Sequence, residues 1–185
     1  MKKIQERRIK EFNEFLDKMS ESLDSAIEIE FIEKNDEQWY SEFIISEMKF
    51  FLLIKLIITP DISNDNKCYV CKFGTIQDGE KNFKKLKDND TFRSLKVLST
   101  VKKYLNLFLL EKNPNTLTFF GSDKHATRIK LYQLFADEII NNNDDYFNFY
   151  HFFREHPIFI ICNNSFNILK IKDFYISLFN FYENV

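Results

Sequence analysis

The sequence predicts an α+β domain on a mixed, mostly antiparallel sheet, preceded by an amphipathic helix. Three observations carry this. Alternating and β-branched or aromatic runs fill residues 26–76, and a helical apolar period takes over from Thr91. Leu117 to Phe120 then reads as a short strand between two helices, which turns an antiparallel meander into a βαβα unit.

Taken in order, Ile9, Phe12, Leu16, Met19 and Leu23 recur at three- and four-residue spacing, the seam of an amphipathic helix. The expected organisation is a helix over 1–24 followed by one α+β domain over 25–185. Ala26 to Phe31 alternates, with Ile27, Ile29 and Phe31 on one side and Glu28 and Glu30 on the other. Gln38–Ser46, Lys49–Thr59 and Lys67–Ile76 are read as further strands, with a loop at Pro60–Asn66. Gln77 to Asp90 is read as a polar, Lys-rich connector ending in residues able to cap a helix. Leu95, Leu98, Val101, Leu105, Phe108 and Leu109 then share one helical face, until Asn113-Pro114-Asn115 stops the helix. Gly121 permits a tight corner into a second helix that ends in the Asn141–Asn143 run. Tyr146–Phe153 and Pro157–Cys162 are read as a hairpin joined at Arg154-Glu155-His156-Pro157. Phe166 to Tyr182 is read as a C-terminal helix, from the spacing of Ile171, Tyr175, Leu178, Phe179 and Tyr182.

Composition narrows the function classes. A net charge of -2 gives no global attraction to nucleic acid or an acidic membrane. The 22 Phe accompany abundant Lys, Asn and Ile, all with A/T-rich codons, so a low-GC bacterial or phage genome explains the bias. Three cysteines and a charged amino terminus point to free thiols in a reducing cytoplasm. The most apolar run, Met48 to Thr59, is interrupted by Lys55 and too short to span a bilayer as a helix.

The order Phe73-Gly74, Val97–Val101, Asn113-Pro114, Leu117–Phe120 and Arg128–Tyr132 resembles a loose set of uncharacterised bacterial and phage proteins. That resemblance implies an accessory role in phage biology, host defence or a toxin–antitoxin cassette. The element order also resembles the GCN5-related acetyltransferase fold, which implies a coenzyme A pyrophosphate held by a Gly-rich turn at a helix N-terminus. Here that position holds Gly79 alone, with Lys81, Lys84, Lys85 and Lys87 in place of paired glycines.

Candidate chemistry is sparse. Lys84, Ser122, Lys124 and Arg128 form a candidate anion site around the Gly121 corner, where free amides and cations would converge on a phosphate. The competing reading makes Ser122 or Asp123 a helix cap and Arg128 a partly buried structural residue. Cys68-x-x-Cys71 lacks a second ligand pair for zinc, and within a strand its two thiols fall on opposite faces, so buried, inert thiols are favoured. His151, Glu155 and His156 come without a nucleophile elbow. The sequence therefore predicts no catalytic residue, no metal and no cofactor. The leading expectation is a non-catalytic interaction protein whose contact surface is Ile9, Phe12, Leu16 and Met19, used for self-association or a protein partner. Acetyltransferase-like binding of coenzyme A or another phosphorylated ligand is the alternative from the enzyme class. Nucleic-acid binding through Lys2–Lys10 and Lys81–Lys87 is the third.

Overall fold

The computed structural model describes residues 26–58, 66–82, 91–120, 126–141, 143–153 and 156–165. The expected N-terminal and C-terminal helices lie outside the described residues. Those described form eight strands and two helices. The strands are β1 (Phe31–Lys34), β2 (Gln38–Ile45), β3 (Met48–Leu56), β4 (Cys68–Gln77), β5 (Glu80–Asn82), β6 (Thr116–Phe120), β7 (Tyr146–Phe153) and β8 (His156–Asn163). Helix α1 (Thr91–Lys112) lies between β5 and β6, and α2 (Ala126–Ile140) between β6 and β7.

The sheet runs β1-β2-β3-β4-β6-β8-β7, with β5 paired to β4 off this path. All pairings are antiparallel except β4 with β6, which run parallel in the register Cys68↔Thr116 to Cys71↔Phe119. This is the mixed, mostly antiparallel sheet that the sequence predicts. The parallel pair arises because a 22-residue helix carries the chain back from the end of β4 to the start of β6. Asn115 locks that start, its N–H reaching Lys67 O at 2.8 Å and its Oδ1 accepting from Lys67 N at 2.7 Å.

Both helices cover one face. Tyr69, Leu117, Phe119 and Phe159 from the sheet join Val101, Leu105, Phe108, Phe135 and Ile139 from the helices in one buried cluster. Its centre is aromatic: Phe108 meets Trp39 edge-on at 5.1 Å and Tyr69 at 4.9 Å. All six residues of the predicted α1 stripe are buried. Asn113 adopts a left-handed φ of 43° at the helix end, and Pro114 follows it.

Three expectations need correction. Ala26 to Glu30 is not part of a strand; its backbone instead donates from Ile27 N to Thr100 Oγ1 (3.1 Å) and from Ile29 N to Tyr104 OH (2.8 Å). Its alternation still holds, since Ile27, Ile29 and Phe31 pack against the core. The connector after β4 opens with a hairpin to β5, made by Asp78 and Gly79 at φ of 52° and 80°. Two consecutive positive φ values suit the tight two-residue turn between antiparallel strands, and Asp-Gly is its strongest sequence signal. Finally, β8 begins one residue before the expected Pro157, so His156 belongs to the strand rather than to the connection.

Candidate functional site

Of the predicted anion site, Lys84, Ser122 and Lys124 lie outside the described residues. Arg128 falls in α2, but its side chain is also outside them. The predicted contact residues Ile9, Phe12, Leu16 and Met19 lie outside as well, as do the side chains of His151 and His156. What the structure places is the ground around the Gly121 corner. There the edge of β4 changes partner, from β6 through Cys71 to β5 from Thr75 onward. Phe73 and Phe119, on the helix side of these strands, both pack on Phe135, at 6.3 and 5.8 Å. Phe119 stacks on Phe159 at 5.2 Å, and Tyr132 tilts against Phe159 at 5.5 Å.

The thiols behave as the sequence predicts. Cys68, Cys71 and Cys162 are free and buried. Alternation along β4 puts Cys71 under the helices and Cys68 on the opposite face. Burial pushes Cys68 up to about 11 and Cys162 up to about 12, and raises Cys71 as well. Protonated thiols are poor nucleophiles and poor metal ligands at neutral pH. Among the described residues, no group of three or more His, Cys, Asp or Glu could hold a metal ion.

The face away from the helices carries a group of cations. Lys72 is buried in β4, with Lys55 and Lys81 close enough to be felt electrostatically. Burial and then these two lysines lower Lys72 to about 8. The Lys81 ammonium lies over the Tyr40 ring at 4.4 Å and over Phe51 at 5.5 Å. Tyr40 donates to Glu42, which also pairs with Lys49, and burial first, then Glu42, raises Tyr40 to about 12.

The third region is the outer side of α1. A groove of about 260 Å³ is lined by Ser99, Lys102, Lys103, Asn106, Leu107 and Leu110. Leu107 is 44% exposed and Leu110 72%, on a helix whose other leucines are buried. One wall is fixed to α2: buried Lys102 meets Glu138 at 2.7 Å, and Asn143 Nδ2 donates to Asn106 Oδ1 at 3.2 Å. Lys103 sits on the other wall and pairs with Glu28, leading toward the segment that precedes β1. Sequence reasoning did not single out Leu107 and Leu110, although both fall off the spacing of the buried stripe.

No helix of the described residues is long and apolar enough to cross a membrane. No protein-family model, no curated protein and no solved structure matches the chain.

Proposed function

We propose that this is a non-catalytic interaction protein whose contact surface combines the outer side of α1 with the N-terminal apolar stripe. The observation that carries this reading is the open groove flanked by exposed Leu107 and Leu110. Large aliphatic side chains on a helix otherwise packed into the core are what a helix-in-groove contact uses. The occupant proposed is the amphipathic segment of a second copy. Ile9, Phe12, Leu16 and Met19 supply an apolar stripe of matching character, and the chain joins the described fold alongside α1, at Ile27 beside Thr100. The resemblance to bacterial and phage proteins suggests an accessory setting. Deleting Met1 to Ser22 tests the reading: association should weaken while the circular dichroism of the sheet persists. An unchanged oligomeric state and unchanged partner binding would sink it.

A second reading, an acetyltransferase-like fold that binds coenzyme A or another phosphorylated ligand, is favoured by one observation. The chain passes through a meander, helix, strand and helix to a final hairpin, with parallel β4 and β6 losing their pairing beyond Cys71 and Phe119. Open sheets bind ligands outside the carboxyl ends of parallel strands where neighbours diverge. On this reading Lys84, Ser122, Lys124 and Arg128 contact the phosphates. Thermal-shift titration with acetyl-CoA and nucleotides separates the two readings. Stabilisation at millimolar ligand supports this one, and a flat response removes it.

A further inference from the structure

Residues 26–30 lie along α1 without entering the sheet, and side-chain hydroxyls rather than a strand take their amides. Ile27 N donates to Thr100 Oγ1 at 3.1 Å, and Ile29 N donates to Tyr104 OH at 2.8 Å. Each hydroxyl gives its own proton elsewhere: Thr100 Oγ1 to Lys96 O at 2.8 Å, Tyr104 OH to Glu28 Oε2 at 3.0 Å. Their lone pairs are thereby turned to the two amides. Glu28 thus orients the tyrosine that holds its own segment. Lys103 pairs with the same carboxylate, and Lys103 first, then Tyr104, hold it below the usual carboxylate range. Downstream the segment is pinned, since Ser41 Oγ donates to Glu30 O at 2.6 Å just before the chain enters β1.

Lys103 also belongs to the groove. The described lining of that groove carries Lys102 and Lys103 and no carboxylate. Lys102 is buried against Glu138, whereas Lys103 is paired at the surface with a Glu28 that is 84% exposed. An exposed pair exchanges partners at little cost, so Lys103 is the groove cation an incoming carboxylate can take. The stripe read as the occupant has such groups at hand: Glu11, Glu14 and Asp17 are interspersed with Phe12 and Leu16.

We propose that residues 26–30 are a latch that opens from α1 as a unit when a carboxylate of the groove's occupant takes Lys103 from Glu28. This rests on the reading of the outer side of α1 as a self-association surface. By linkage, occupancy loosens the latch, and a loosened latch favours occupancy.

Hydrogen exchange on the full chain tests the latch. Tyr104→Phe removes the acceptor of Ile29 N and leaves that of Ile27 N. Both amides should nevertheless exchange about fivefold faster or more, while the amides of Leu52 and Ile160 in the core strands keep their rates. Thr100→Val, which removes only the acceptor of Ile27 N, should do the same. Acceleration confined to the amide that lost its acceptor overturns opening as a unit. The coupling is read by raising the concentration of the unaltered chain until it associates. Ile27 and Ile29 should then exchange faster, and Lys103→Gln should remove that dependence. Slower or unchanged exchange on association overturns the coupling. A chain that stays monomeric sinks the self-association reading and the coupling with it, and the Tyr104→Phe exchange still decides the latch.

Discussion

The two sides of α1 are built from the same residue types and do different work. Toward the sheet, Leu105, Phe108 and Leu109 are at most 1% exposed, and Phe108 touches two aromatic rings. Toward solvent, Leu107 and Leu110 stand in the open beside a groove. The same contrast runs through the lysines. Lys102 is buried against Glu138, whereas Lys103 reaches a carboxylate that remains 84% exposed. What decides the role of a leucine or lysine here is its angular position on the helix, not its identity. The inner side therefore carries stability, and the outer side is free to carry recognition.

The largest expected effect lies on the inner side. Phe108→Ala should cost about 3–5 kcal/mol, because it removes a fully packed ring and leaves a cavity the surrounding aromatics only partly fill. Urea unfolding monitored by Trp39 fluorescence measures it; a loss comparable to an outer-side substitution would erase the distinction between the sides.

Next comes the pH dependence of the opposite face of the sheet, where Cys68 and Cys162 are buried. The thiols ionise near 9 when unfolded but are held to about 11 for Cys68 and about 12 for Cys162. Folding thus retains protons that the unfolded chain releases, so the thiols' contribution is intact below pH 9 and is lost progressively from there toward pH 12. Raised phenols at Tyr69, Tyr104 and Tyr146 push the same way above pH 10. Lys72, lowered to about 8 by burial, works the other way between pH 8 and 10.5, so the readout is the difference between the unaltered chain and Cys162→Ala, whose denaturation midpoint should lose less above pH 9. Identical pH profiles of the two proteins up to pH 11 would contradict the burial assigned to Cys162.

Glu138→Ala probes the boundary between the two sides. It strips Lys102 of its partner while Lys102 stays buried, and should cost about 1–3 kcal/mol, moderated by the partial exposure of Glu138. Lys103→Ala, one residue on, should leave stability unchanged because its partner Glu28 lies in solvent. Equal losses in the two variants would show that the boundary is misplaced.

Much of the fold was legible because local signals agreed with tertiary need. The α1 stripe from Leu95 to Leu109, the Asn113-Pro114 stop and the short strand at Leu117–Phe120 each follow from periodicity or proline chemistry, and together they force β4 and β6 parallel. The β4–β5 turn had a signal too, in Asp78-Gly79, but three-residue β5 is too short for any periodicity to announce. Ala26–Glu30 misled because alternation reports which side faces the core, not whether the backbone pairs with a strand; here Thr100 and Tyr104 take the amide bonds instead. The site was less legible. Recognition surfaces follow from what the fold leaves uncovered, so Leu107 and Leu110 gain meaning only once α1 is laid on the sheet. Lys72 is likewise an ordinary strand lysine until its burial beside Lys55 and Lys81 is seen.

Leu110→Asp carries the smallest expected change in stability, within about 0.5 kcal/mol, and it tests the central claim most directly. Sedimentation equilibrium should show the unaltered chain self-associating with rising concentration and the Leu110→Asp chain remaining monomeric with an unchanged unfolding midpoint. Identical sedimentation of the two proteins would contradict the assignment of the outer side of α1 as the contact surface.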